Sequence, residues 1–210
     1  MKMSARYRIT HETHYRYAGS VTLSQQLLHL QPREMPYQIC FKKKLSITPE
    51  PSYSMSVQDS FGNPCTRLEF NQPHRILSVV AEMEVEVQKR DVDTQFESSP
   101  AWEKVVQDCL YRGHITLPNE LLEALPFRFE SPFIHLKHHF SDYAQDCFPS
   151  GRPLLLAINA LMNKIFKEFS FDPEATHIGT PLLEVLERKR GVCQDFAHLM
   201  LACLRSLGLP

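Results

Sequence analysis

What this sequence lacks first is an excess of either charge: 23 Lys+Arg stand against 24 Asp+Glu in 210 residues, a formal net charge of -1. Binding nucleic acid or an anionic membrane draws on a surplus of cations, so neither is an expected partner. Long apolar runs are missing too. No stretch approaches the roughly 20 residues of a membrane span. The start, MKMSARYRITHETHYRY, is too polar for a signal peptide's apolar segment, which makes the cytoplasm the expected location. Glycine is scarce, at 7 residues, which leaves little material for a phosphate-binding loop. The six cysteines contain no CxxC pair, which speaks against a zinc knuckle, a thioredoxin motif or a dense disulfide framework. There is no internal repeat or low-complexity tract.

What is present suffices for a core, since 43% of residues are hydrophobic and 22% charged. From Met3 to about Lys89 the dominant period is two. Tyr7, Ile9, Tyr15 and Tyr17 fall on one face against Arg6, Arg8, Glu12 and Arg16. Ile39, Phe41, Leu45 and Ile47 repeat the alternation, as do Val79, Ala81, Met83, Val85 and Val87 against Glu82, Glu84 and Glu86. Turn signals separate these runs at Ala18-Gly19-Ser20, Pro49-Glu50-Pro51, Phe61-Gly62-Asn63-Pro64 and Asn71-Gln72-Pro73. The pattern predicts an antiparallel β-sandwich over residues 1–92 and a linker over 93–100, with Ser98-Ser99-Pro100 as its least structured part.

Beyond the linker, residues 101–210 turn helical. Leu154, Ile158, Leu161, Ile165 and Phe169 step by three or four behind Pro153. Thr180-Pro181 reads as a cap and first helical position for a helix through Leu182, Leu183, Val185 and Leu186 to Lys189-Arg190. Gly191 is expected to allow a sharp reversal. A third helix follows from about Cys193 to Leu207, stopped by Gly208 and Pro210. The fold class is therefore α+β.

Cys193 opens that third helix. A thiol in a first helical turn faces unpaired N–H groups and the positive end of the macrodipole, which favour thiolate and could stabilise an oxyanion. Phe196, Met200, Cys203, Leu204 and Leu207 make the expected apolar face, and Cys193 extends it backwards, so its sulfur is expected to point at whatever packs there. Asp195 and His198 lie about 200° and 140° around the helix from Cys193, too far to take its proton. Asp195 is expected instead to bond first-turn N–H groups or a nearby loop and so fix the helix start.

The runs Phe171-Asp172-Pro173-Glu174-Ala175-Thr176, Thr180-Pro181-Leu182-Leu183-Glu184-Val185-Leu186, Gly191-Val192-Cys193-Gln194-Asp195-Phe196-Ala197-His198 and Arg205-Ser206-Leu207-Gly208-Leu209-Pro210 resemble the bacterial transglutaminase-like superfamily. The opening Tyr7–Tyr17, with Leu30-Gln31-Pro32-Arg33, looks like the β-rich region that precedes this domain in bacterial members. The resemblance implies the front half of a papain-like core, with Cys193 as nucleophile and Gln194 and Asp195 supporting the oxyanion and the helix start. The family's histidine and aspartate come later than Pro210, where this chain stops, so the chain alone is expected to be an inactive, truncated form.

Gln194 stands where the protein-crosslinking members carry Trp, which favours hydrolysis. The expected function is a cysteine peptidase or amidohydrolase acting on a peptide or protein substrate through a thioester on Cys193. The alternative is a non-catalytic binding or scaffold module. With its covering sheet missing, the patch of Phe196, Met200 and Leu204 is expected to be exposed and to support a homodimer or aggregation.

No cofactor or metal is assigned. His135, His138 and His139 are spaced i, i+3, i+4 but lack a completing ligand set. His11 and His14 point to opposite strand faces. Lys42-Lys43-Lys44 reads as a solvated strand end, Cys203 and Trp102 as core residues.

Overall fold

The computed structural model describes residues 4–89, 95–110, 113 and 116–210. The chain divides into two compact units, Met1–Val92 and Asp93–Pro210.

The first unit holds six strands: β1 Ser4–Val21, β2 Ser24–Leu28, β3 Gln38–Thr48, β4 Tyr53–Gln58, β5 Pro64–Phe70 and β6 His74–Gln88. They form two antiparallel three-stranded sheets, ordered β1-β6-β3 and β2-β5-β4. Leu68 and Phe70 from the smaller sheet and Leu77 and Val79 from the larger are almost fully buried together, with Tyr17, Leu45 and Ile47 packed on them. On β6 the alternation holds. Val79, Ala81 and Val85 are buried, while Glu82, Glu84 and Glu86 meet Lys44, Arg8 and Arg6 at 3.9, 3.2 and 3.7 Å. These pairs are solvent-exposed and contribute little individually.

Two strands depart from simple alternation. β3 carries an extra residue at Phe41: Cys40 pairs with Val85, but Lys42 pairs with Glu84. One inserted residue flips every side chain before it, so Ile39 falls opposite Glu86 and away from the face of Leu45 and Ile47. Ile39 and Phe41 are accordingly exposed, and Arg6 lies over the Phe41 ring. In β1, Ala18-Gly19-Ser20 is no turn. The strand runs through it to Val21, with a register shift between Arg16 and Val21. Tyr7, Ile9 and Tyr15 share the face of Val85, Met83 and Leu77 yet remain exposed, leaving Tyr17 as the tyrosine that packs on the core.

The β4–β5 hairpin closes through Asp59 and Asn63, with Gly62 in the left-handed region at φ 76°. Asp59 accepts from Phe61 N–H, Asn63 N–H and the Asn63 amide at 2.8 to 2.9 Å. The Asn63 amide, followed by the backbone donors, holds the Asp59 carboxyl below its ordinary range.

The second unit holds α1 Trp102–Asp108, α2 Asn119–Ala124, α3 His138–Ala144, α4 Leu154–Glu168, β7 Ser170–Phe171, α5 Leu182–Arg188, β8 Arg190–Gly191 and α6 Cys193–Ser206. α6 lies at its centre. Leu199, Ala202 and Cys203 are fully buried with Ala144 of α3, Ala157 and Leu161 of α4 and Val185 of α5. Trp102 is anchored by its indole N–H to Pro149 O and by an edge contact with Phe148. The Arg128 guanidinium donates to the carbonyls of Cys109 and Gly208, which ties the end of α1 to the turn two residues past α6.

Of the expected linker, Asp93 and Thr94 lie outside the described residues. Phe96–Ser98 is a 3-10 turn rather than a loose segment. Leu154 N–H donates to Pro100 O and Leu155 N–H to the Ser99 hydroxyl, so this stretch satisfies orphan donors of α4. No helix among the described residues is long and apolar enough to cross a membrane.

Candidate active site

The start of α6 is fixed by three residues before it and one within it. α5 ends at Lys189, whose φ of 54° is the left-handed conformation that terminates a helix. The reversal expected of Gly191 thus belongs to Lys189. Gly191 is required for a different reason: a Cβ there would meet Asp195 Oδ2 at 2.6 Å. β8 then pairs in parallel with β7, and Asp172 N–H donates to Gly191 O at 2.8 Å. Arg190 and Asp172 form an ion pair at 2.7 Å.

Asp195 is 6% exposed, and a buried carboxylate needs donors. Its Oδ2 accepts from Val192 N–H at 2.8 Å and from the Thr176 hydroxyl at 2.6 Å. This is half a capping box, the carboxylate reaching back to the N-cap N–H; Val192 has no side-chain acceptor to supply the other half. The donor that sequence reasoning missed is Thr176. A carboxylate destined for the buried side of a helix implies a hydroxyl or N–H donor nearby, and that was the available signal.

Cys193 is the first residue of α6 and is exposed. The face expected to carry its sulfur inward is rotated. The buried line runs Asp195, Leu199, Ala202 and Cys203, with Leu204 at 8%, and Cys193 lies on the other side. Phe196 and Met200 are half-buried. Phe196 meets Phe169 edge to face at 5.7 Å. The patch expected at Phe196, Met200 and Leu204 is therefore largely covered, and the open line is Cys193, Ala197 and Leu201, spaced by four. The reason lies in size: Ala202 and Cys203 allow close helix approach where larger side chains would stand the neighbours off.

Gln194 is exposed beside the thiol. With Asp195 and His198 it lines a cleft of about 220 Å³, closed by Phe133, Ile178 and Pro181. Cys193 is not among its walls. His198 stacks on Phe133, with ring centroids 5.8 Å apart and planes 9° apart. The N–H groups of a helix's first turn lack intrahelical partners, and Cys193 belongs to that turn.

The other cysteines of this unit differ in setting. Cys109, Cys147 and Cys203 are buried, and burial raises all three thiols, Cys203 to about 12.

At Thr180-Pro181 the N-cap is Pro181, one residue later than expected. The Thr180 hydroxyl accepts from His177 N–H instead. The histidine cluster does not assemble. His135 precedes α3 and faces Glu130 at 3.8 Å, while the rings of His138 and His139 lie against each other. His11 meets Thr13 and His14 meets Glu12, both on the surface.

Comparison with known proteins follows the same two-part division. Residues 7–86 match the bacterial transglutaminase-like N-terminal region, and residues 141–210 match the transglutaminase-like superfamily. An uncharacterized protein of Mycobacterium tuberculosis is 33% identical over 207 residues, covering 97% of this chain and 63% of its own length. An uncharacterized protein of Mycobacterium leprae is 26% identical over 214 residues, covering 98% of this chain and 68% of its own. The chain thus spans about two thirds of the curated relatives it matches. A crystal structure from Cytophaga hutchinsonii, described as a "putative cysteine protease", superposes with a TM-score of 0.73 at 17% identity, over all of this chain and 67% of that one, which establishes likeness of fold. The two matches stand in the order the chain's motifs require, a bacterial transglutaminase-like N-terminal region followed by a transglutaminase-like core.

Proposed function

We propose that this chain is the nucleophile-bearing part of a transglutaminase-like cysteine peptidase that hydrolyses peptide-like amides through a thioester on Cys193. The observation that carries the reading is an exposed thiol at the first residue of a helix whose start is locked by a buried carboxylate. In that arrangement Sγ attacks the amide carbonyl carbon and the displaced electron pair moves onto oxygen, beside first-turn N–H groups. Collapse expels the amine, which needs the proton the thiol gave up. Water then attacks the thioester, releasing the acid and returning a proton to sulfur.

Shuttling that proton requires a base. His198 is engaged with Phe133 in a cleft that excludes Cys193, and the family resemblance assigns the task to a histidine on a later strand. Exposed Gln194 in place of an aromatic residue leaves water free access to the thioester, which supports hydrolysis over transfer to an amine. Free cysteines at all six positions suit the reducing cytoplasm.

The test is competitive alkylation of the two exposed thiols, Cys193 and Cys40, with iodoacetamide near neutral pH, read by peptide mass spectrometry. Cys193 is expected to react about tenfold faster, because its sulfur is exposed at a helix start whereas the Cys40 thiol is engaged with Lys42 O. Equal rates would overturn the nucleophile reading and favour a non-catalytic binding module.

A further inference from the structure

Away from α6, the first unit gathers three side chains of metal-ligating type. His29, Asp59 and Cys65 bring their ligand atoms within 4.8 Å of one another. Backbone register builds the group. β2 pairs with β5 up to Leu28 opposite Thr66, so His29, one residue on, falls opposite Cys65. β4 pairs with β5 so that Val57 opposes Cys65, and the hairpin closure sets Asp59 two residues further. Three strands of one sheet thus converge at one corner.

The chemistry of the corner is unlike that of a packed core. Cys65 is 2% exposed, yet its sulfur meets polar atoms: His29 Nδ1 at 3.2 Å and Asn63 O at 3.4 Å. Asp59 is oriented by donors from Phe61 and Asn63, and Oδ2 accepts a single one of them, leaving a lone pair for a further partner. Hydrogen-bonded carboxylates of this kind are typical metal ligands held by an outer shell. His29 is exposed, so water can reach the group. Tetrahedral zinc, with bonds of about 2.0 to 2.3 Å, sets its ligand atoms about 3.4 to 3.6 Å apart. The three ligand atoms, within 4.8 Å of one another, already stand close to that spacing.

We propose that His29, Asp59 and Cys65 form a binding site for a zinc-type divalent cation, with water as the fourth ligand. Thiolate and imidazole select zinc over magnesium and calcium. On binding, the sulfur–hydrogen bond of Cys65 gives way to a sulfur–metal bond and its proton leaves to solvent; His29 binds as neutral imidazole and Asp59 as carboxylate. The ion would clip the hairpin tip to the end of β2. It stands apart from the chemistry of Cys193, so neither reading depends on the other.

The experiment is titration of the purified full chain with cobalt(II) chloride, followed by zinc(II) competition. One cobalt per chain is expected, with the near-ultraviolet thiolate-to-cobalt charge-transfer band, and zinc should abolish the band. Cys65→Ser should remove it. His29→Ala changes an exposed residue and so keeps the fold, checked by circular dichroism; it should weaken binding by more than the roughly 10–100-fold that losing an outer-shell partner costs. Cys40→Ser and Cys193→Ser should leave the titration unchanged. Absence of the band, or its persistence in Cys65→Ser or at full affinity in His29→Ala, would overturn the proposal.

Discussion

Cys65 and Cys193 show two opposite ways of housing a thiol. Cys65 is buried at a corner between strands, where an imidazole, a carbonyl and a carboxylate surround it. Cys193 is exposed at a helix start, and the nearby carboxylate of Asp195 turns away from it to hold the backbone. The first setting suits a cation that shares its ligands. The second leaves the sulfur free to meet a carbonyl from solution. The difference lies in backbone: paired strands fix three side chains against one another, whereas a helix terminus offers N–H groups on one side and open space on the other.

The comparison breaks most severely through the cores behind each thiol. Leu161→Ala, fully buried behind α6, should cost about 2–5 kcal/mol, as should Leu68→Ala in the first unit. Denaturant unfolding of each variant, followed by cobalt binding and by Cys193 alkylation, should show each function lost with its own unit. Next in size is Asp195→Ala, which strands Val192 N–H and the Thr176 hydroxyl; about 1–3 kcal/mol of stability and the selective alkylation of Cys193 should go together. Gly191→Ala should act through the same contact, with a cost of about 1–3 kcal/mol from overpacking against Asp195.

A graded effect separates Cys203 from both. Its folded thiol titrates near 12 against an ordinary 9.0, so above pH 9 the unfolded chain binds fewer protons than the folded one. Stability is whole below that pH and falls by up to about 1.4 kcal/mol per pH unit between 9 and 12. Urea unfolding across that range should show the slope, and Cys203→Ala should reduce it, leaving the share of the buried Cys109 and Cys147 thiols.

The sequence made some of this legible and hid the rest for identifiable reasons. α4 and α6 stand out because apolar residues recur at helical spacing over about four turns, and β6 because Glu82, Glu84 and Glu86 alternate with Ala81, Met83, Val85 and Val87. The α6 face was misjudged because Ala202 and Cys203, small and weakly apolar, lie deepest in the packing while bulkier Met200 rides at the margin. The β3 alternation looked continuous, since a bulge inserts one residue without a marker. The place of Cys193 at the start of α6 was legible from Gly191 before it and the helical pattern after it. The His29–Asp59–Cys65 corner was not, because 36 residues separate its ends and hairpin register alone unites them. Thr176, likewise, is 19 residues from the carboxylate it serves.

The bulge at Phe41 carries one more consequence. β3 and β1 are the outer strands of the larger sheet, and an outer strand invites another chain to add itself. On β3 the extra residue breaks the regular ladder, and Lys42-Lys43-Lys44 follow at once. On β1 the register slips between Arg16 and Val21. The even row of donors and acceptors that a newcomer would need is thus interrupted midway along β3, whereas on β1 it runs unbroken from Ser4 to Arg16, which makes β1 the more open of the two margins.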